Sequence, residues 1–442
     1  MSSIKEMSLK YNLHAWSAQS KINPEVITKA EGIFIWNEDG KRFYDMSAQL
    51  VYMNLGHGHK KIIQAIKDQA EKLAFISPAY ACDVRSHAAK KIIEVAPDNM
   101  SKVFFTNSGA EANENAIKIA KMYTGKNKFL SMYRSYHGAT YGAANLSGEP
   151  RRFLSEQPGI SGFIKFAGPY QYRPPKGITF KNEEDCTAYY LDILNDQILY
   201  EGPNNIAAIF IESIVGSNGV LIPPKGYLEG IRALCDKYDI LMIVDEVMAG
   251  WGRTGKWFAI NHWNVKPDLI TFSKGCTCGY IPLGGVIVSE KIAKYFDKNI
   301  FNCGLTYSAH PIGCAAAIAT LDAYVEENVF DNVEKTGKIL GQILEELKDR
   351  HMSVGDVRYI GLFSVIELVK DKNTKEPLVP YGEDSESTMK KILQMLKSEG
   401  FLATSHENMI IIAPPLIIKE EELREAMKIM DNVLYSVDNM IK

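Results

Sequence analysis

The residues with the most chemistry to offer stand where apolar runs stop. In Ile240-Leu-Met-Ile-Val-Asp245-Glu246-Val247 a hydrophobic stretch ends in carboxylates, and Asp268-Leu-Ile-Thr-Phe-Ser-Lys274-Gly275 ends a second stretch in a lysine followed by glycine. Runs of this length read as parallel strands buried on both faces. Ligands of open α/β sheets gather outside the carboxyl ends of such strands, so Asp245 and Lys274 are expected to open onto one crevice. Each has a plainer reading alone: a strand-end Asp caps a helix, and a strand-end Lys snorkels to the surface. Together they set an amine that can condense with an aldehyde near a carboxylate that can hold a cationic nitrogen.

Two further segments meet different needs. Phe105-Thr-Asn-Ser108-Gly109-Ala110-Glu111 reads as strand, tight turn and helix start. Free backbone amides and the helix dipole can hold a phosphate there, although a Ser-Gly turn before a helix is also what plain N-capping looks like. In Ser135-Tyr136-His137-Gly138 the Tyr136 ring can stack on a flat heteroaromatic or simply pack in the core. A phosphate cradle, a stacking ring, a strand-end carboxylate and a strand-end lysine are jointly what a pyridoxal phosphate site requires. Neither GxGxxG nor a Walker A sequence occurs, which speaks against a nucleotide enzyme. His57 and His59 have no carboxylate or cysteine following at ligand spacing, so no metal is expected.

The elements that position these groups follow from periodicity. Strands are expected at Val103–Thr106, Ala207–Ser213, Ile240–Val244, Leu269–Phe272 and Gly285–Ser289, with crossover helices between them, in an α/β core. Ala112, Ala116, Ile119, Ala120 and Tyr123 recur at helical spacing after the first strand. Between Pro150 and Asn205 periodicity fades, and the segment reads as a surface insertion that can reach the active site. Farther on, Val354 to Val369 and Met409 to Ile418 read as strands. Glu420 to Lys442 reads as a helix with Leu423, Met427, Met430, Leu434 and Val437 on one face, which makes a smaller α+β unit. The charged run 370–376 reads as a solvated turn.

Bulk properties narrow the classes. A chain of 442 residues, 46% hydrophobic, can bury a large core and divide into two or three domains. Its 50 basic and 53 acidic residues give a formal charge of -3 and no electrostatic footprint for nucleic acid or anionic membrane. Seven cysteines without a CxxC pair do not resemble a disulfide framework, and Cys276 and Cys278 beside Lys274 read as small-residue packing. With no signal-peptide pattern in Met1 to Asn12 and no long apolar stretch, a cytoplasmic location is expected.

Taken with Asp245-Glu-Val-Met-Ala-Gly-Trp-Gly-Arg253-Thr-Gly255, Gly304-Leu-Thr306-Tyr-Ser-Ala-His310-Pro311 and Pro414-Pro415-Leu416, these motifs resemble, in order, the class III aminotransferases. The resemblance runs from about Ala30 to Leu416. It implies an α/β, aspartate-aminotransferase-like fold of type I: a large domain with a mixed, mostly parallel sheet and a smaller α+β domain. By the same resemblance, residues 1–60 contribute to the small domain and the substrate entrance, 61–325 form the cofactor-binding domain, and 326–442 the carboxy-terminal small domain. Lys274 would carry pyridoxal 5′-phosphate as a Schiff base, Asp245 would pair with the ring nitrogen, and Tyr136 would cover the ring, with His137 beside it. Ser108, Gly109 and Ala110 would hold the phosphate, helped by Thr306 from the second subunit of a homodimer. Glu212 would sit near the phenolic side.

The implied reaction moves an amino group from a small amine donor to an oxo-acid acceptor, 2-oxoglutarate or pyruvate, in ping-pong fashion. Arg151 and Arg152, in Gly148-Glu-Pro-Arg-Arg, stand where ω-amino acid members carry an acid-gripping arginine; two solvated loop arginines are the alternative. His14-Ala-Trp16-Ser-Ala-Gln19 resembles the segment of taurine transaminases, with Trp16 either at the substrate entrance or anchoring a domain. Taurine is the favoured donor, with β-alanine, 4-aminobutyrate or a diamine as competitors, and an aminomutase or isomerase of the same fold as the remaining enzyme reading. Many members place an arginine that binds the α-carboxylate at the position of Ile411, and its absence leaves the grip on the oxo acid, and so the choice between 2-oxoglutarate and pyruvate, unassigned. A binding protein that keeps this fold would retain none of the chemistry of Lys274.

Overall fold

The computed structural model describes residues 3–156, 161–381 and 386–441. Lys442 of the expected terminal helix, Met1 and Ser2, and residues 157–160 and 382–385 lie outside the described residues. An antiparallel meander, β1 (Ile27–Glu31), β2 (Phe34–Asn37) and β3 (Arg42–Asp45), opens the chain. The large sheet follows: β4 (Met100–Thr106), β5 (Lys128–Met132), β6 (Phe163–Phe166), β7 (Ile206–Glu212), β8 (Leu241–Asp245), β9 (Leu269–Phe272) and β10 (Gly284–Ser289). A third sheet holds β11 (Val354–Ile360) and β12 (Phe363–Asp371), with β13 (Glu376–Pro377) hung on β12. β14 (Phe401–Leu402) leaves to lie parallel to β3, and β15 (Thr404–His406) and β16 (Met409–Ile412) complete the order β11-β12-β16-β15.

The spatial order of the large sheet is β4-β10-β9-β8-β7-β5-β6, parallel at every step except the two that β10 makes. β4 therefore points the same way as β9, and the carboxyl ends of β4, β5, β7, β8 and β9 share one edge. Every residue of β7, β8, β9 and β10 is buried, which is why each is a nearly unbroken apolar run. The helix Gly109–Thr124 packs across β9 and β10 through Ala112, Ala116, Ile119 and Ala120, whose small side chains allow close approach. Ser108 starts that helix by accepting a hydrogen bond from the Glu111 amide at 3.2 Å, a cap worth about 1 kcal/mol.

Three expectations change. The Pro150–Asn205 segment is not a loop insertion: it supplies edge strand β6 and a 19-residue helix, Glu183–Glu201, that packs on the helix Tyr227–Tyr238. Cys186, Tyr190, Leu194 and Ile198 give that helix a buried stripe at four-residue spacing, but exposed Leu199 and Tyr200 blur it in sequence. The expected strand Val354–Val369 is a hairpin, turned at Gly361 (φ +58°), where a Cβ would meet the Thr254 carbonyl carbon at 2.7 Å. The strand begun at Met409 stops at Ile412, before Pro414 and Pro415, which have no amide hydrogen to donate.

Among the described residues no helix is long and apolar enough to cross a membrane, and all seven cysteines are free. His57 pairs with Asp45 at 2.9 Å and His59 with Glu327 at 2.8 Å, so the two histidines serve different structural contacts.

Candidate active site

A cavity of about 260 Å³ opens at the shared edge of the large sheet. Lys274 and Asp245 both line it, one strand apart, together with Tyr136, His137, Glu212 and the helix start at Gly109 and Ala110. A larger cleft of about 540 Å³ lies elsewhere, beside Arg232 and Asp268, but its arginine is already matched by Asp236 and Asp268. Convergent titratable groups distinguish the smaller cavity.

Lys274 follows β9 in a left-handed backbone, φ +53°, which a residue with a Cβ holds only where its surroundings enforce it. Burial brings its amine down to about 8, against the opposing pull of the Asp245 and Glu212 carboxylates. Asp245 is almost completely buried and rigidly held. Its Oδ2 accepts from Asn113 Nδ2 and His137 Nδ1, each at 2.8 Å, and its Oδ1 from the Val247 amide at 2.9 Å. A carboxylate has about four acceptor positions, so one remains for a cationic nitrogen in the cavity. Glu212 pairs in register with Asp245 on the next strand. It accepts from the Tyr136 amide at 3.0 Å and the Gly216 amide at 2.8 Å. Burial pushes its carboxyl up to about 7, with His137 opposing and Asp245 adding to the rise.

At the helix start, Ser108 uses its side chain on the Glu111 amide, which leaves the first amides, of Gly109 and Ala110, for an anion. A Cβ at Gly109 would meet a Val247 methyl at 2.8 Å, so this helix end is held directly against the turn that follows Asp245. The cavity thus offers anion-binding amides, an aromatic face, a fixed carboxylate with a spare acceptor position and an amine of lowered basicity. That donor set fits pyridoxal phosphate.

The arginine pair separates. Arg152 is tied to its own loop, donating to Glu156 Oε1 and to the Gly148 carbonyl, both at 2.7 Å. Arg151 instead lies with Cζ 3.8 Å from the Tyr136 ring centroid and 5.2 Å from that of Trp16, so the two expected substrate contacts meet in one stack. Its guanidinium is also bidentate to Glu149, through Nε to Oε1 and through Nη2 to Oε2 at 2.8 Å. Glu149 is buried and receives Asn218 Nδ2 at 3.3 Å.

Thr306 is exposed and does not line the cavity. Ile411 lies inside an apolar cluster with Phe363, Val365 and Met409. Cys276 and Cys278 are buried against the carbonyls of Leu283 and Gly275 at 3.6 Å, and burial raises both thiols. Sequence reasoning missed Asn113 and Glu149. Asn113 could have been found one helical turn after Gly109, whereas an acid two residues before Arg151 carries no signal of pairing.

Residues 16–434 match the family described as Aminotransferase class-III. A putrescine–pyruvate aminotransferase from Pseudomonas aeruginosa is 33% identical, covering 98% of this chain and 96% of that one. A taurine–pyruvate aminotransferase from Bilophila wadsworthia is also 33% identical, over 97% and 96%. The structure of a taurine:2-oxoglutarate aminotransferase from Bifidobacterium kashiwanohense, in complex with PLP and glutamate, superposes with a TM-score of 0.96 at 48% identity, covering 99% of this chain and 98% of that one.

Proposed function

The chain belongs to the class-III aminotransferases, pyridoxal-phosphate enzymes of fold type I, and from that premise we propose that its donor is a small ω-amino acid, taurine first. The amino group would pass to an oxo acid, 2-oxoglutarate or pyruvate. The observation that carries the donor reading is the Arg151 guanidinium between Trp16 and Tyr136, beside the cavity that holds Lys274. A guanidinium in that place matches the paired oxygens of a sulfonate or carboxylate. Relatives named for taurine support the same class.

When bound, pyridoxal phosphate supplies the aldehyde that takes up an amine and the ring that accepts the electron pair left on the donor carbon. Asp245, locked by Asn113 and His137, keeps the ring nitrogen protonated. The amides of Gly109 and Ala110, after Ser108, would hold the phosphate, and Thr306, exposed on the single chain, would join that grip from a second subunit. Tyr136, which lines the cavity, would cover the ring, and Glu212 would stand on the phenolic side. With its lowered basicity, the Lys274 amine would serve as the base that takes up and returns the donor's proton, a role worth roughly 10²–10⁴-fold in rate. A homodimer is the assembly in this reading. Leu50, Tyr80, Tyr141 and Tyr307 are exposed on the single chain, and a subunit interface there would cover them. The stack of Trp16 on Arg151 likewise supports a substrate-entrance role for residues 1–60, with residues 61–325 binding the cofactor and 326–442 forming the small domain.

A second reading has its own basis. Glu149 already neutralises Arg151, an arrangement that suits a diamine, and one relative is named for putrescine. Following loss of the cofactor's visible absorbance on addition of taurine, β-alanine, 4-aminobutyrate or putrescine decides between them. Taurine is expected to bleach the band fastest, and Arg151→Ala to slow acidic donors while sparing putrescine. If putrescine reacts and taurine does not, the diamine reading replaces the first.

A further inference from the structure

The left-handed backbone of Lys274 persists only where neighbours impose it. On one side the hold is local: Ser273 Oγ donates to the Leu283 carbonyl at 2.7 Å. On the other side it comes from remote segments. Tyr324, on the helix Pro311–Glu326, donates its hydroxyl proton to the Gly275 carbonyl at 3.2 Å. The same hydroxyl oxygen accepts from Asn54 Nδ2 at 2.9 Å, and Cys278 Sγ lies 3.9 Å from it. Asn54 Nδ2 also donates to the Trp251 carbonyl at 2.9 Å, while Asn54 Oδ1 accepts from Arg253 Nη2 at 2.7 Å. Arg253 in turn reaches the Leu362 and Pro414 carbonyls.

Protons along this chain can run in one direction only. An arginine donates and does not accept, so Arg253 fixes which end of the Asn54 amide is the acceptor. The amide nitrogen must then face the Tyr324 oxygen, and the single proton of Tyr324 is left for Gly275. Burial pushes that phenol well above its ordinary range, which keeps the proton in place. Asn54 and Tyr324 are both buried. The fit against the turn is close: a Cβ at Gly275 would meet Asn54 Nδ2 at 2.5 Å and Trp251 Cβ at 2.8 Å.

We propose that Asn54 and Tyr324 are positioning residues for the transamination: through the Gly275 carbonyl they hold the turn that aims the Lys274 amine into the cavity. The inference rests on Lys274 being the residue that takes up the cofactor, and not on the identity of the donor.

Tyr324→Phe removes the proton and keeps the ring, which packs on Trp257 and Phe330. Asn54→Asp keeps an acceptor for Arg253 but has no proton for Tyr324, so the phenol turns from Gly275 toward the new carboxylate. In steady-state kinetics of the holoenzyme, both variants should lower kcat about ten- to 10²-fold and hold the KM of each substrate within about two-fold, the mark of a displaced reacting group. Stopped-flow capture of pyridoxal phosphate by the cofactor-free chain should slow as well, in its plateau rate above about pH 8. Ile392→Val, in the buried face of the helix Glu386–Ser398, controls for stability: it should lower the urea midpoint and leave kcat and capture unchanged. Full kcat in either variant, capture at the wild-type rate, or a loss that Ile392→Val shares in proportion to its urea midpoint overturns the proposal. Wild-type protein that captures no cofactor overturns the transamination reading itself, a result distinct from variants that merely match the wild type.

Discussion

Water keeps a lysine protonated, and half-buried Lys274 has less of it around the amine than a surface lysine. With the amine at about 8 rather than 10.5, its reactive form becomes abundant within the working range of a cell. Only the unprotonated amine attacks an aldehyde. Capture of pyridoxal phosphate by the cofactor-free protein should therefore accelerate as pH rises through about 8 and level off above it. Stopped-flow absorbance checks this, and a rise delayed until the ordinary lysine range would show that the amine is solvated. Lys274→Arg should give a folded protein without the visible band, slower in transamination by at least about 10²-fold. Asp245 and Lys274 were legible as residues because each ends an apolar run. The bidentate lock of Arg151 on Glu149 was not, since pairing across a proline depends on the path of the loop.

Elements set the distances between these residues, and the margins are narrow. Gly138, directly after His137, has φ +134°, and a Cβ there would lie 2.6 Å from Ala110 Cβ and 2.9 Å from Ala110 Cα. The loop after β5 thus presses against the helix start that offers the phosphate amides. Gly138→Ala should cost about 1–3 kcal/mol, from backbone strain and from overpacking. Because Ala110 has to yield, the variant should also release cofactor faster on dialysis. Urea midpoints and residual absorbance measure the two effects, and a variant normal in both would show that the contact is slack. Five of the seven large-sheet strands, β4 and β7 to β10, were legible because burial writes an apolar run; β5, which is short, and the partly buried edge strand β6 were not. The helix Glu183–Glu201 was not, because its exposed Leu and Tyr residues mimic its buried stripe.

Across the whole molecule, the large sheet's domain is tied to the carboxy-terminal sheet by a charge that has no ion-pair partner among the described residues. Arg253 is fully buried and donates to the carbonyls of Leu362 at 3.0 Å and Pro414 at 2.6 Å, and to Asn54 Oδ1 at 2.7 Å. Burial lowers even this guanidinium to about 10, against the weaker opposing pull of Tyr324, Cys278 and Asp45. Arg253→Met should strand three buried acceptors and destabilise the protein by roughly 3 kcal/mol. Equilibrium unfolding in urea tests it, and a loss below about 1 kcal/mol would mean that water replaces the guanidinium.

By itself the sequence determined five of the seven strands of the large sheet, their order along the chain and the residues at their ends, because burial and turn chemistry act on neighbours a few positions apart. Which side chains meet was decided only in three dimensions. The stacking of Arg151 against Trp16 and Tyr136, the pairing of Arg134 with Glu407 and the apolar filling around Ile411 all join segments apart in the chain. Contacts of that kind are fixed by packing, and packing leaves no periodic trace in the order of amino acids.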